Sequence, residues 1–448
     1  MRYRFRPTPR RRLTAALASL ALVVSALADD TSANADTSED WAVHGQLTNV
    51  TQHGARFSAP YSGTNSLRPD APTEETTDTT LFLGIRPWAG AELWVNGEVD
   101  QGRGLSNTLG VAGFPSGGAY KLGANKPYVR LPRAFLRQTV SLGGETQAVE
   151  GEANQLAGSR TADSLTLTFG KLAVTDVFDN NSYAHDPRAD FLNWTVIDAG
   201  TFDYAADPWG YTFGFAAEWT QDWWTLRGGY FELSPLPNSK IANFNFRANS
   251  PMVEAEARYK LLGQPGKVKL LGFVNRADMG SYRDAIAWGV QNGAAPDVTQ
   301  VRHFATRSGI VLNLEQAISD DVGVFARLSR DDGSKEAYEF TDINKSLSAG
   351  VSIKGTSWGR AGDTFGAAIV TNALSNDAKD YFAAGGMGIL IGDGKLNYAP
   401  EKILESYYAV GLGAHFAVSL DYQHVNNPAY NHDRGPVSIY SLRAHAQF

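Results

Sequence analysis

Apolar and polar residues alternate along the end of this chain. From Pro436 to Phe448, Ser438, Tyr440, Leu442, Ala444, Ala446 and Phe448 fall on one face, and Ile439, Ser441, Arg443, His445 and Gln447 on the other. A period of two is that of a β-strand. The same alternation sets Val253, Ala255, Ala257 and Tyr259 against Glu254, Glu256 and Arg258. Leu226 and Tyr230 oppose Thr225 and Arg227, and Phe416, Val418, Leu420 and Tyr422 oppose Ser419, Asp421 and Gln423. Sixteen segments of this kind are predicted: 41–51, 78–87, 90–98, 132–143, 163–171, 211–219, 222–231, 251–262, 266–276, 304–315, 321–330, 345–354, 362–371, 402–413, 415–425 and 435–448. A single such strand fits two arrangements, water outside over a core or lipid outside around a wet lumen.

The gaps between the segments decide. Short connections, such as 87–90, 221–222, 263–266, 317–321 and 413–414, alternate with long ones at 52–77, 99–131, 172–210, 232–250, 277–303, 331–344, 372–401 and 426–434. Short periplasmic turns and long extracellular loops, with an even strand number, are the pattern of an outer-membrane barrel. Two gaps on the short side are longer: 355–361 mildly and 144–162 markedly, the latter a candidate pore-facing segment. The predicted fold is all-β: a 16-stranded antiparallel transmembrane barrel with its long third extracellular loop folded into the lumen. Its terminal strand is expected to pair with the first and, through Phe448, to engage the barrel-assembly machinery.

Composition sharpens this. Residues 1–12 hold six arginines and no acid, Leu13 to Ala28 is apolar, and Ala26-Leu27-Ala28 is an A-x-A cleavage site. Residues 1–28 therefore read as a secretory signal peptide, leaving 29–448 as one barrel domain in the outer membrane. A membrane anchor is the alternative, but the run is short and the chain beyond it is polar. Removing those arginines takes the formal charge from −7 to about −13, which argues against a nucleic-acid partner. The chain has no cysteine, so neither disulfides nor thiolate metal sites enter. No later apolar stretch approaches the roughly 20 residues of a helical span, and a chain that crosses lipid without helices must close its sheet. The 45 glycines and 11% aromatic content suit turns and interfacial girdles.

Candidate chemistry concentrates in the third long loop, 172–210. It carries Asp176, Asp179, Asp186, Asp190, Asp198, Asp203 and Asp207, one arginine, Arg188, and the rings of Phe178, Tyr183, Phe191, Trp194, Phe202, Tyr204 and Trp209. In 16-stranded porins the third long loop narrows the lumen. Carboxylates and amides, including Asn180, accept hydrogen bonds from sugar hydroxyls, and ring faces stack on pyranose C–H groups. Packing of these rings against the barrel wall is the alternative. Inward arginines recur at Arg133, Arg137, Arg227, Arg258, Arg327 and Arg443, where guanidinium forks can meet sugar oxygens. Glu150, Glu152, Glu218, Glu254 and Asp421 would face them, or the two sets pair only structurally. The expected constriction comprises Arg133, Arg137, Glu150, Glu152, Asp176, Asp179, Asn180, Arg188, Asp190, Trp194, Arg227 and Arg443. There is no HExxH and no GxSxG, so neither a zinc hydrolase nor a serine hydrolase is signalled, and no cofactor is expected.

These residues carry a resemblance. The stretches WAVHGQLTNVTQ (41–52), FSAPYSGTNSL (57–67), VEGEANQLAGSR (149–160), 176–214, LNLEQAISDDVGVFAR (312–327), FTDINKSLSAGVSIKG (340–355) and 398–448 resemble the carbohydrate-selective porins of Gram-negative outer membranes, the glucose-porin type. The loop DVFDNNSYAHDPRADFLNW and the turn NPAYNHDRGP are the most specific parts. The resemblance implies a 16-stranded barrel, a narrowed pore lined by arginine and glutamate, and passive uptake of monosaccharides or small oligosaccharides; a monomer or homotrimer is expected. A general or cation-preferring porin is the alternative of the same class; a barrel enzyme and an adhesive barrel are the others.

Overall fold

The computed structural model describes residues 38–70, 73–119, 123–241 and 245–448. Residues 1–28, the expected signal peptide, lie outside them. Sixteen strands run in order: β1 Trp41–Gly54, β2 Thr73–Ile85, β3 Ala91–Gly102, β4 Ala124–Val149, β5 Gly158–Leu172, β6 Thr212–Gln221, β7 Trp224–Glu232 and β8 Asn249–Leu261. The second half comprises β9 Gln264–Met279, β10 His303–Ala317, β11 Val322–Asp331, β12 Lys345–Lys354, β13 Thr364–Ala373, β14 Glu401–Gly411, β15 Phe416–Asn426 and β16 Val437–Gln447. Each strand pairs with its sequence neighbours, and β16 returns to β1 to close the barrel. All sixteen predicted segments are strands, and the alternation sets their faces. Leu226, Val253, Leu420 and Leu442 are exposed on the outer wall, whereas Thr225, Arg227, Glu254, Asp421 and Arg443 are buried on the inner one. Water does not meet that outer face: a band of Leu, Val and Ile suits lipid, and Trp41, Trp88, Trp219 and Trp223 ring its short-turn end.

Closure is a side-chain event as well as a backbone one. Gln46 to Gly54 of β1 pair with Gln447 to Ile439 of β16. Beyond the ladder, the Gly45 amide donates to the Phe448 carbonyl (2.8 Å) and the Phe448 amide to the Gly45 carbonyl (2.9 Å). The Phe448 ring covers Gly45 so closely that a Cβ there would lie 2.4 Å from it.

The strands on either side of β4 depart from a plain ladder. β3 and β4 slip register between Asn96↔Arg133 and Glu98↔Arg130, so Leu131 and Pro132 form a bulge. Proline has no N–H to give a ladder, and bulges are where sheets tolerate it. The extra residue turns both Arg130 and Arg133 inward, although they are three apart. β4 was expected over 132–143; it runs from Ala124 to Val149, because its far end forms a hairpin with β5 below the barrel wall.

The apolar core lies among the loops rather than between strands. Phe178, Trp194, Phe202 and Tyr204 of loop L3 (173–211) pack with Tyr338, Phe340 and Ile343 of the β11–β12 loop and Leu390 and Tyr430 of later loops. Such packed loops carry backbone groups that strands would have paired, and each needs a partner. Inward side chains supply them. Glu405 accepts from the amides of Leu192 (2.6 Å) and Asn193 (3.1 Å), and Glu254 from that of Asp179 (2.9 Å). Glu401 takes the amides of Ala112, Gly113 and Ala429. The loops also hold one another: Asp203 accepts from the successive amides of Tyr338 (2.6 Å), Glu339 (3.0 Å) and Phe340 (3.0 Å).

Candidate functional site

Two cavities border L3. The lower one, of about 930 Å³, lies towards the short turns and is lined by Arg137, Asn180, Glu218, Arg227, Glu256 and Arg258, among others. The upper one, of about 250 Å³, is lined by Arg130, Arg133, Arg188, Trp194, Trp209 and Tyr211. Asp176 and His185 line both, so the two cavities meet at this pair.

The wall at that junction is a cluster of paired charges. Arg133 grips Asp176 through two hydrogen bonds, Nε (2.7 Å) and Nη2 (2.6 Å). The Ala173 amide also donates to Asp176 (3.0 Å), closing the first turn of L3. Burial alone would lift the Asp176 carboxyl, but the Arg133 charge outweighs it and holds it below the usual carboxylate range. Arg130 is bound by Glu98 and Asp100 of β3. Arg188 reaches Asp78 of β2 at 3.2 Å and Glu98 at 4.0 Å. The Tyr211 ring lies beneath two of these cations, with Arg130 at 5.1 Å and Arg133 at 5.0 Å from its centroid. Three guanidiniums thus crowd one face and are neutralised by carboxylates from β2, β3 and L3. The two bonds of Arg133 to Asp176 leave further N–H donors on the fork. His185 is pushed below its ordinary pKa by burial and then by the charge of Arg327, so it is neutral at pH 7.

The residues expected at a constriction separate into groups. Arg133, Asp176, Arg188 and Trp194 come together around the upper cavity, and Arg137, Asn180, Arg227 and Glu152 line the lower one. Arg227 is held by Glu218 (2.9 Å), Glu254 (2.8 Å) and Glu256 (2.9 Å), and Asn180 takes Lys269 on its carbonyl. Glu150 is exposed at the β4–β5 hairpin tip, where its carbonyl accepts from Gln155 (2.8 Å). Neither Glu150 nor Glu152 is ion-paired with Arg133 or Arg137; Asp176 and Glu92 hold those.

Asp179, Asp190 and Arg443 are anchors of L3. Asp179 accepts from Asn313 (2.7 Å), the Ala199 amide (2.7 Å) and Arg327 (3.2 Å). Asp190 caps the amides of His185 and Asp186. Arg443 donates to the carbonyls of Pro187 (2.8 Å), Ala189 (2.8 Å) and Asp190 (2.7 Å), and Arg327 to those of Val196, Asp179 and Ala184. These two guanidiniums are spent on loop carbonyls.

Trp194 is only 3% exposed; Phe114 stacks on its face at 5.5 Å and Phe340 meets it edge-on at 4.8 Å. The ring that keeps open surface at the upper cavity is the half-buried Trp209, with its indole N–H on Tyr128 Oη at 3.1 Å.

Alternation missed Arg130, because the bulge breaks the period; Pro132 was its only signal. Asp78, Glu98 and Asp100 were hidden in threonine-rich or mixed strands, and Tyr211 lies at a strand start.

The family model of carbohydrate-selective porins, the OprB family, matches residues 64–448. Porin AaxA of Chlamydia caviae is 21% identical over 320 residues, covering 68% of this chain; the chain spans about three fifths of that relative's length. Among solved structures, OprB of Pseudomonas putida, in its high-pH form, superposes with a TM-score of 0.69 at 14% identity over 91% of this chain and 94% of that one. The outer-membrane channel DcaP of Acinetobacter baumannii gives 0.50 at 11% identity, over 93% of this chain and the full length of the other. These two likenesses are of fold; the family match carries the assignment. The barrel is a channel of the bacterial outer membrane, and the chain belongs to the carbohydrate-selective porin, OprB family.

Proposed function

We propose that this porin admits monosaccharides or small oligosaccharides by passive diffusion, and that L3 is its constriction. The observation that carries this reading is the meeting of the two cavities at Asp176 and His185, beside the Arg133 fork. A hydroxylated solute passing there finds fixed donors on Arg130, Arg133 and Arg188, acceptors on Asp176 and Asp186, and the half-buried ring of Trp209. Because each charge already has a partner, a neutral polyol exchanges hydrogen bonds with water at little net cost. A lone cluster of one sign would instead hold counter-ions. Transport needs such weak, replaceable contacts, since a tight site would not release its solute. Below the junction, Arg137, Arg227, Asn180 and Glu152 continue the same chemistry along the lower cavity.

Liposome swelling with sugars of rising size tests the reading. Small sugars should enter faster than amino acids of equal mass, with saturation at high concentration. Entry ranked by size alone, without saturation, would make the channel a general porin, and a reversal potential strongly favouring cations would make it a cation-preferring one.

A further inference from the structure

The β4–β5 hairpin is longer than the barrel needs. Pairing of β4 with β3 ends at Ala91↔Gln138, and pairing of β5 with β6 ends at Ser164↔Thr220. Below those pairs the two strands pair along their backbones only with each other, from Gly143↔Asp163 down to Val149↔Gly158. They form a two-stranded ribbon on the periplasmic side. The ribbon does not hang straight. Its register slips on both sides of Gly143, where Gly143 (φ 122°) and Gly144 (φ 86°) take a backbone conformation that other residues rarely adopt. From that bend the ribbon turns under the barrel, and Gln147, Val149, Arg160 and Ala162 line the lower cavity opposite Arg227 and Arg258.

The tip is latched. Leu156, 1% exposed, is buried among Ala42, Phe82, Trp94 and Phe135 of the first four strands. Arg137 donates to the Asn154 carbonyl (2.8 Å), and the Ala157 amide to the Glu39 carboxylate (2.7 Å). Arg86, in the β2–β3 turn, donates to the carbonyls of Ala157 (3.0 Å) and Glu39 (2.9 Å). Between tip and root the ribbon is solvent-exposed: every residue from Ser141 to Ala148 has an open side chain or surface. Segments with few buried contacts open at low cost. Here a glycine bend and a single small latch bound such a segment.

We propose that this ribbon is a second selectivity element, in series with L3: a latched shutter over the periplasmic exit, turning about Gly143–Gly144, that sets the size of solute leaving the lower cavity. The proposal rests on the reading of L3 as the upper constriction. Ion conductance reports on the ribbon whatever the solute, so the two can fail separately.

The first test excises residues 145–161 and joins the strands by an Asn-Gly turn. Single-channel conductance should rise by up to about twofold, as when one of two comparable constrictions in series is removed. The size limit in swelling assays should move to larger sugars. Unchanged conductance and size limit would overturn the proposal. A second test needs no deletion. The chain has no cysteine, so Leu156→Cys provides a single thiol. A membrane-impermeant maleimide should label it slowly, and about tenfold faster when Arg86→Ala removes the latch hydrogen bond to Ala157. Equal labelling rates in the two backgrounds would show that the tip is not latched and would sink the shutter.

Discussion

At the scale of the residue, the inward guanidiniums have two occupations that their sequence context does not distinguish. Arg133 bridges to a loop carboxylate and keeps donors at the cavity surface; Arg443, 2% exposed, gives its donors to three loop carbonyls. Their replacements should therefore differ in kind. Arg133→Ala should leave thermal stability near that of the parent while weakening sugar saturation and shifting ion selectivity towards cations, since Asp176 loses its counter-charge. Arg443→Ala strands buried carbonyls, each costing about 1–3 kcal/mol when unsatisfied. It should lower the temperature of heat modification and give noisy, multi-level currents. Planar-bilayer recordings beside heat-shift gels distinguish the two. If Arg443→Ala changed sugar block alone, the anchoring role would be wrong. The identity of the inward residues was visible from alternation. What each one touches depends on where L3 lies against the wall, and no local pattern encodes that.

At the scale of the element, strands were plain in the sequence because their two solvents are opposite: one face must be apolar and the other need not be. That contrast predicts an asymmetry between neighbours on β5. Leu167 is 40% exposed on the lipid face, and Thr166 lines the lower cavity. Leu167→Arg should cost about 2–4 kcal/mol of barrel stability, as for arginine near the bilayer midplane. Thr166→Arg should leave the barrel folded and shift selectivity towards anions. Refolding into micelles by urea titration, with reversal potentials, reads both effects; the reverse order would place the register one residue out. Where the alternation fails, a second force intervenes. At Leu131-Pro132 a bulge resets the period, and beyond Gly143 the ribbon has water on both faces, so no apolar stripe marks it as strand. The length of the gap at 144–162 was the one sign of it. L3 was visible as a long loop rich in acids and rings, and most of those rings turn out to fill the core shared with neighbouring loops. Removing about a dozen residues between Asn180 and Asn193 should raise single-channel conductance and abolish sugar discrimination. The same deletion takes away the carbonyls of Pro187, Ala189 and Asp190 that Arg443 holds, so it should be paired with Arg443→Met to avoid an uncompensated buried charge, while Arg327 keeps Asp179 and Val196. Unchanged conductance in the repaired deletion would place L3 outside the conduction path.

At the scale of the whole molecule, the barrel stands or falls with one seam. Every other strand pair is joined by a turn or loop that holds its partners at high effective concentration, whereas β1 and β16 meet from opposite ends of the described chain. An open seam leaves two rows of N–H and C=O groups in hydrocarbon, which lipid cannot satisfy. The last contact of that seam is Phe448, whose backbone exchanges two hydrogen bonds with Gly45 and whose ring lies over it on the outer wall. Glycine at 45 makes room for the ring, and the ring in turn covers backbone that glycine leaves bare. Deleting Phe448 should remove both bonds and the cover together and slow closure. The expected product is protease-sensitive chain in the periplasm with little heat-modifiable barrel in the outer membrane. Gly45→Val is the complementary change, since its side chain would meet the ring and force it aside while the backbone bonds remain possible. It should therefore slow assembly less than the deletion, and Phe448→Ala, which empties the space above residue 45, should recover part of the loss in the Gly45→Val background. If instead Gly45→Val and Phe448→Ala simply add, the ring and the glycine act independently, and closure rests on the backbone ladder from Gln46 to Gly54 alone.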